Sequence, residues 1–315
     1  DGCKIEPIDR RFKNTDLPFV HIHDTLKPLS ERMVSGFGGV AEYGITPRWD
    51  KNNLFIIRLL LERNPLYTLK GGIFYGDMLR PEDAFNHGID HIALCTGAGA
   101  PKFTQTPNPL ARGVYAASDF LMSLQLTGNF KNNSLGCLTV QMPIVVIGGG
   151  LTAIDAATEA QAFYIKHLET LTQRMNDLKA KGVWDDFSQN LGAAEAEQLN
   201  RWQDHADQLV AAKMQAQEAG KAFNPIDLLH QWGGCTILYR KGMEQAPSLS
   251  LNPQEVKHAF HEGIFLLDDV SVTDYHLDDH GAIQGVGIQR LGYASTLPAR
   301  TVILAVGTHA GGAKF

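Results

Sequence analysis

The sequence predicts an α/β fold, and three observations carry this prediction. Residues 144–147 are four β-branched residues that run into three consecutive glycines and then into an alanine-rich segment, which reads as strand, tight turn and helix. Residues 91–95 and 301–306 are also largely apolar, have the length of buried strands and are followed within two residues by a glycine. The long segment after the central glycines has helical periodicity. Strands that alternate with helices are typical of a parallel sheet covered by helices.

The central glycines have the spacing of a phosphate-binding turn. Gly148, Gly150 and Ala153 fit the pattern G-x-G-x-x-G/A, in which the first glycine permits the turn and the second lets a pyrophosphate approach. The third small residue lets helix and strand pack closely, and the N–H groups at the helix start attract an anion. Glycine-rich turns with nothing bound also occur. The residues of this predicted dinucleotide site are Gly148, Gly149, Gly150, Leu151, Thr152 and Ala153.

A helical insertion follows this turn. A plain strand–helix–strand unit reaches its next strand after roughly 20 to 30 residues, but the next convincing strand, residues 235–239, begins more than 80 residues after Gly150. Apolar residues at steps of three and four in residues 164–178 and 199–209 predict two helices packed as an antiparallel hairpin. The predicted insertion spans about residues 160–230. It either seals against the domain or provides a surface for another subunit or partner.

The remaining segments predict ordinary elements. Residues 116–126 form a predicted helix, and Asn252 and Pro253 have the residue types of a helix start, with Gly263 at its end. Residues 270–276 and 282–291 alternate well enough to be two strands joined by a turn.

Composition excludes several classes of protein. The chain has 315 residues, enough for a sizeable core and two domains. A net charge of -6 argues against non-specific binding to nucleic acid or to an anionic membrane. The cysteines are widely spaced and contain no C-x-x-C pair, so they predict neither a zinc site nor a vicinal redox disulfide. We expect a cytoplasmic protein without a metal site. Its start at Asp1 suggests that it begins inside a larger reading frame.

Several motifs, in their order along the chain, resemble one family. Residues 38–45 resemble its GG-x-x-x-YGI loop, residues 93–97 its A-x-ATG strand end, and residues 143–155 its VVVIGGGNTAMD segment, with Leu151 in place of asparagine. Residues 239–241 resemble its YRR, and residues 304–307 its closing A-x-G. The chain thus resembles the pyridine-nucleotide-dependent flavoprotein reductases with two dinucleotide-binding domains, and within them the small (β) subunit of glutamate synthase and its relatives.

This resemblance implies an FAD domain over residues 1–110, an NADP(H) domain over 111–300 that carries the insertion, and a return to the FAD domain over 301–315. Both domains would be Rossmann-like and three-layered. The FAD domain would be incomplete, because the family's first strand–turn–helix unit precedes the position of Asp1. The FAD contacts that the resemblance implies are Asp1, Gly38, Gly39, Val40, Tyr43, Gly44, Thr96, Gly97 and Gly307.

The residues after the second strand favour one nicotinamide cofactor. NAD sites usually place an acid there to hold the ribose 2′-hydroxyl, whereas NADP sites place cations there for the 2′-phosphate. Arg240 and Lys241 occupy this position and Glu244 comes a little later, which favours NADP(H). The alternative is that both cations are ordinary solvated charges.

The predicted function is an NADPH-dependent flavin oxidoreductase that passes hydride from NADPH to FAD and on to an unknown acceptor. Such a transfer needs close, stacked rings and little acid–base help, so no catalytic side chain is predicted. An electron-acceptor subunit or domain would be the partner. Two alternatives stay open: a non-catalytic dinucleotide-sensing or interaction module that uses the helical arm, and a flavin monooxygenase.

Overall fold

The computed structural model describes residues 60–309 except 62, 69, 71, 72, 74 and 96–99. Its helices are α1 (Pro81–Asn86), α2 (Ala117–Leu126), α3 (Leu151–Ala180), α4 (Trp184–Gln189), α5 (Ala193–Glu218), α6 (Ile226–Gln231), α7 (Pro247–Leu251) and α8 (Pro253–His261). Its strands are β1 (Ala100–Pro101), β2 (Val114–Ala116), β3 (Ile144–Ile147), β4 (Cys235–Leu238), β5 (Phe265–Leu267), β6 (Val270–Leu277), β7 (Ile283–Arg290), β8 (Tyr293–Pro298), β9 (Thr301–Leu304) and β10 (Thr308–His309). No helix among these residues is both long enough and apolar enough to span a bilayer.

The described residues fall into two compact units, with the second running from Pro101 to Gly307. Its centre is a parallel five-stranded sheet in the order β2-β9-β3-β4-β5. Ile144 on β3 pairs with Cys235 on one side and with Thr301 on the other. The predicted α/β fold with a parallel sheet is therefore confirmed, and β3 ends in the middle of the carboxyl edge.

The final buried strand lies inside this sheet. β9 pairs with β2 and β3, and all four of its residues are buried. Assigning residues 301–304 to the return into the first domain was therefore wrong, because their hydrogen bonds join them to the sheet that contains the glycine-rich turn. The chain leaves this unit after Gly307.

The two faces of the sheet are covered differently. An antiparallel meander in the order β6-β7-β8 lies on one face, and Val145 and Ile147 of β3 share an apolar core with it. Because side chains alternate along a strand, Ile144 and Val146 point to the opposite face, where α3 contacts β3 and β4. The β3 side chains are buried on both faces, as is usual for a parallel sheet.

Other predicted elements are confirmed with small shifts. The helix predicted over residues 116–126 is α2, and the two predicted strands are β6 and β7. α8 begins where expected, since the Asn252 side chain accepts a hydrogen bond from the N–H of Glu255 at 3.4 Å. Residues 91–95 do not form the predicted buried strand: they are irregular, and all but Ile92 are exposed. A buried parallel strand needs neighbouring strands and covered faces, and no described strand pairs with this segment.

The insertion consists of two long helices and a short one between them. The predicted hairpin of the two long helices is confirmed. The hydroxyl of Tyr164 lies 2.6 Å from His205 Nδ1, and the rings of His167 and Trp202 lie 4.5 Å apart. Gln203 Nε2 lies 3.7 Å from Met175 Sδ, so residues further along α3 meet residues that precede His205 in α5, as in an antiparallel pair.

The helical arm is tied to the surface of its own domain. The indole Nε1 of Trp202 donates to the carbonyl of Val140 at 3.2 Å. The guanidinium of Arg201 donates to Gln141 Oε1 at 2.9 Å, and that of Arg174 donates to the carbonyl of Ser134 at 2.9 Å. The inner surface of the arm therefore packs on the domain.

Candidate dinucleotide site

Gly148 brings the end of β3 into contact with the end of β9. A Cβ built on Gly148 would lie 2.3 Å from the carbonyl oxygen of Ala305, and its φ of +152° is one that other residues rarely adopt. The N–H of Ala305 donates to the carbonyl of Ile147 at 2.8 Å, and the N–H of Gly148 donates to that of Leu238 at 2.9 Å. A side chain at this position would push two neighbouring strand ends apart.

Gly149 packs against an aromatic ring from the next strand end. A Cβ at Gly149 would lie 2.2 Å from Tyr239 Cε2, and the Gly149 carbonyl accepts a hydrogen bond from the N–H of Ser248 at 3.0 Å. The Tyr239 hydroxyl in turn donates to the carbonyl of Gln245 at 2.9 Å. The segment that follows β4 is thereby held against the glycine-rich turn.

Gly150 differs from its two neighbours because no described residue fills the space beside it. A Cβ there would meet no atom of the described part of the chain within 4 Å, and its φ of -90° and ψ of 173° are open to any residue. Packing and backbone strain therefore do not explain this glycine. An open position beside the backbone is what the close approach of a phosphate needs.

The start of α3 has features that favour the binding of an anion. Gly150 is its N-cap and supplies no side-chain cap, and the first turn contains no acidic residue. The free N–H groups of a helix start carry a partial positive charge, which for a helix of this kind amounts to roughly half an elementary charge. Leu151 and Thr152 form this first turn, with Thr152 exposed. Ala153 is fully buried, and its small size lets α3 pack closely on the sheet.

Arg240 and Lys241 lie where the second strand of the unit ends. Both side chains are exposed, and neither forms an ion pair or a side-chain hydrogen bond within the described part of the chain. Through Tyr239, which contacts Gly149, this segment lies next to the start of α3. The structure thus brings together the predicted phosphate turn and the predicted 2′-phosphate cations.

The first acid after β5 along the chain already has a structural role. Asp268 accepts a hydrogen bond from the N–H of Met243 at 3.1 Å and pairs with Arg290 at 3.0 Å. These two donors hold the pKa of Asp268 below its usual value. Its carboxylate is therefore occupied in joining the segments after β4 and β5.

Most of the residues proposed from the resemblance to contact FAD lie outside the described residues. These are Asp1, Gly38, Gly39, Val40, Tyr43, Gly44, Thr96 and Gly97. Gly307 is described: its φ is +98°, and it lies just beyond β9, at the carboxyl edge of the sheet. No group of His, Cys, Asp and Glu residues that could hold a metal is found among residues the structure describes.

Two residues near the site were missed by the sequence reasoning. The motif that contains Tyr239 does not predict that its ring packs on Gly149 and that its hydroxyl fixes the following turn. No sequence pattern marks Lys102, whose backbone N–H donates to the Gly307 carbonyl at 2.9 Å. An aromatic residue directly after the second strand was a usable signal for Tyr239, whereas the position of Lys102 depends on a contact between distant parts of the chain.

Comparison with known proteins gives similarities both in sequence and in structure. No protein-family model matches the chain. The chain is 37% identical over 286 residues to the uncharacterized protein RP006 of Rickettsia prowazekii (strain Madrid E). The match covers 91% of this chain and 38% of that protein. The chain thus spans well under half the length of this relative.

Among solved structures, the chain is similar to the oxidoreductase FprA of Mycobacterium tuberculosis (TM-score 0.48, 13% identity, 86% of this chain and 61% of that chain). It is also similar to the ferredoxin reductase for the CYP199A2 system of Rhodopseudomonas palustris (TM-score 0.33, 14% identity, 66% and 32%). A further similarity is to the bacillithiol disulfide reductase Bdr of Staphylococcus aureus (TM-score 0.26, 18% identity, 54% and 30%). At these TM-scores, function has to be argued from the residues of this chain.

Proposed function

We propose that this chain is the NADP(H)-binding part of a flavin-dependent oxidoreductase, in which NADPH reduces FAD and FAD reduces an acceptor that is not identified. The observation that carries the proposal is the open position at Gly150 at the uncapped start of α3. A pyrophosphate would accept hydrogen bonds from the first N–H groups of α3 and be stabilised by the helix dipole. Arg240 and Lys241 would bind the 2′-phosphate.

The flavin half of the proposal rests on the resemblance of residues 38–45 and 93–97 to the FAD-contacting segments of the reductase family. The finer assignment, a protein like the small subunit of glutamate synthase, rests on the same motifs. When bound, FAD would accept hydride from NADPH and carry the electrons onward. The residues of this chain would bind the nicotinamide cofactor and orient it. Binding and orientation are the main contributions that a protein makes to a hydride transfer.

The proposal is tested by placing a carboxylate at the open position. Gly150→Asp supplies a good N-cap at a position with N-cap backbone angles, and we expect it to stabilise the protein by roughly a few tenths of a kcal/mol. The same carboxylate occupies and repels the phosphate site, so NADPH affinity should fall by about 100-fold or more. Thermal unfolding and NADPH titration of the full-length protein measure the two effects.

The matched control is Gly192→Asp at the N-cap of α5, which also adds a carboxylate at a helix start. This variant should bind NADPH like the unchanged protein. If Gly150→Asp binds NADPH with unaltered affinity, or if the unchanged protein binds no NADPH, the proposed site is wrong.

A further inference from the structure

Lys102 presents a cation at the carboxyl edge of the parallel sheet, next to the exit of β9. Its N–H donates to the Gly307 carbonyl at 2.9 Å, and its Cδ lies 3.9 Å from the position of a Cβ built on Gly307. The side chain therefore runs along the open side of Gly307. It is exposed, and within the described residues it makes neither an ion pair nor a side-chain hydrogen bond.

This cation lies on the opposite side of the glycine-rich turn from Arg240 and Lys241. β9 and β4 are the two neighbours of β3, and Gly148 touches Ala305 directly after β9. Arg240 and Lys241 follow β4. In an open α/β sheet a dinucleotide lies across the carboxyl ends of the strands at this point. A ligand with its adenine ribose near the β4 exit would therefore direct its nicotinamide half toward the β9 exit.

We propose that Lys102 binds the phosphate on the nicotinamide side of the pyrophosphate. This inference rests on the proposed function and adds to it a contact outside the glycine-rich turn. A lysine ammonium is a point charge on a flexible stem, which suits one phosphate oxygen without demanding a fixed two-bond geometry. NADPH and NADH both carry this phosphate, so the contact serves both cofactors equally. Arg240 and Lys241, in contrast, would distinguish the two.

Three ligands separate these roles in binding titrations of the full-length protein. NADPH carries the two phosphates of its pyrophosphate and the 2′-phosphate, and NADH lacks the 2′-phosphate. Adenosine 2′,5′-bisphosphate keeps the 2′-phosphate and lacks the nicotinamide-side phosphate. Lys102→Met should raise the Kd of NADPH and of NADH by about tenfold each and change that of the bisphosphate by less than about twofold. Lys102→Arg, which keeps the charge, should restore most of the affinity.

The matched control is Lys257→Met, which removes an exposed lysine from α8 and should alter none of the three dissociation constants. Unchanged affinity of Lys102→Met for NADPH overturns this inference and leaves the proposed function standing. Equal weakening of all three ligands also overturns it, because the effect would then not follow the nicotinamide-side phosphate. If the unchanged protein binds neither NADPH nor NADH, the proposed function fails and this inference fails with it.

Discussion

Arg240 and Lys241 are the residues on which the choice of nicotinamide cofactor depends in this proposal. They are exposed, adjacent and unpaired within the described residues, and Tyr239 fixes their segment against Gly149. Asp268, the first acid after β5, is occupied by Arg290 and by the N–H of Met243. Two free cations and an engaged carboxylate favour a ligand with an additional phosphate.

Replacing both cations by neutral residues of similar length tests this choice. In the variant Arg240→Gln with Lys241→Gln, we expect NADPH to lose about 100-fold in affinity, because each charged hydrogen bond to the 2′-phosphate contributes roughly 1.5–3 kcal/mol. NADH should lose less than about threefold, since its ribose has no phosphate at this position. The ratio of the two dissociation constants, measured by fluorescence titration, is the readout. Equal losses for both cofactors would contradict the phosphate role.

At the residue scale the sequence predicted the site but not the reasons for each glycine. The pattern G-x-G-x-x-A predicts a turn at Gly148, a ligand approach at Gly150 and close packing at Ala153. In the structure a Cβ at Gly148 would meet Ala305, one at Gly150 would meet no described atom within 4 Å, and Ala153 is buried. The contact of Gly149 with Tyr239 could not be predicted, because it joins two strand ends that are 90 residues apart in the chain. Spacing along a chain carries no information on such a contact.

At the scale of elements, α3 has two different halves. From Ala153 to Leu168 it contributes many buried residues, and beyond Leu168 none of its residues is buried. An aromatic cluster closes the base of the arm at this point. The ring of His205 stacks on Trp232 at 4.4 Å between centroids, and that of His167 meets Trp202 edge to face at 4.5 Å. The arm is thereby fixed to the domain through two histidines.

His167 makes this cluster sensitive to acid. The ring is partly exposed, but its Nε2 is buried without a hydrogen-bond partner among the described residues, and burial lowers the pKa of His167 from 6.5 to about 4. Between these values the unfolded chain binds a proton that the folded chain excludes. The contribution of neutral His167 to the free energy of unfolding is therefore complete above about pH 6.5. It is lost as the pH falls toward 4, and the total loss is roughly 3 kcal/mol. Denaturant unfolding at several pH values should show this loss.

The variant His167→Phe keeps an aromatic ring and removes the titrating group. We expect the free energy of unfolding to depend less on pH between about 4 and 6.5. Part of the dependence should stay, because burial also lowers the pKa of His205. His261→Phe on α8 changes an exposed histidine and should leave the pH profile as it was. A profile of His167→Phe identical to that of the unchanged protein would show that His167 does not titrate in this range.

The helical periodicity of the arm was readable in the sequence, and the hairpin that it predicted is confirmed. Apolar residues at steps of three and four show that each of two helices has a face that packs. The ion pair of Glu169 with Lys213 lies outside this apolar pattern, so the pattern could not predict it. The short strands β5 and β8 were missed for other reasons. β5 has only three residues, too few to show a period, and five of the six residues of β8 are exposed.

At the scale of the whole molecule, the strand order could not be derived from the sequence. β9 comes last in the sheet along the chain and lies between β2 and β3, a placement that depends on tertiary pairing. Apolar composition predicted a strand at residues 301–306 and also at residues 91–95, and only the first has strands to pair with among the described residues. Apolar composition shows that a segment could be buried in a sheet, whereas the neighbouring strands decide whether it forms a strand there.

The complete reaction gives the last test, because the two cofactors would use different parts of the protein. The full-length protein should purify with the visible absorbance of a flavin and should reduce a dye when NADPH is added. Gly150→Asp should keep the flavin absorbance, since FAD is not proposed to bind at α3, and should lose most of the NADPH-driven reduction. Dithionite, which reduces flavin without a nicotinamide site, should still bleach the flavin absorbance of this variant.

NADPH binding without bound flavin and without dye reduction would instead favour a nucleotide-sensing module. If Gly150→Asp lost its flavin while the unchanged protein kept it, the proposal that FAD and NADPH bind at separate sites would be contradicted.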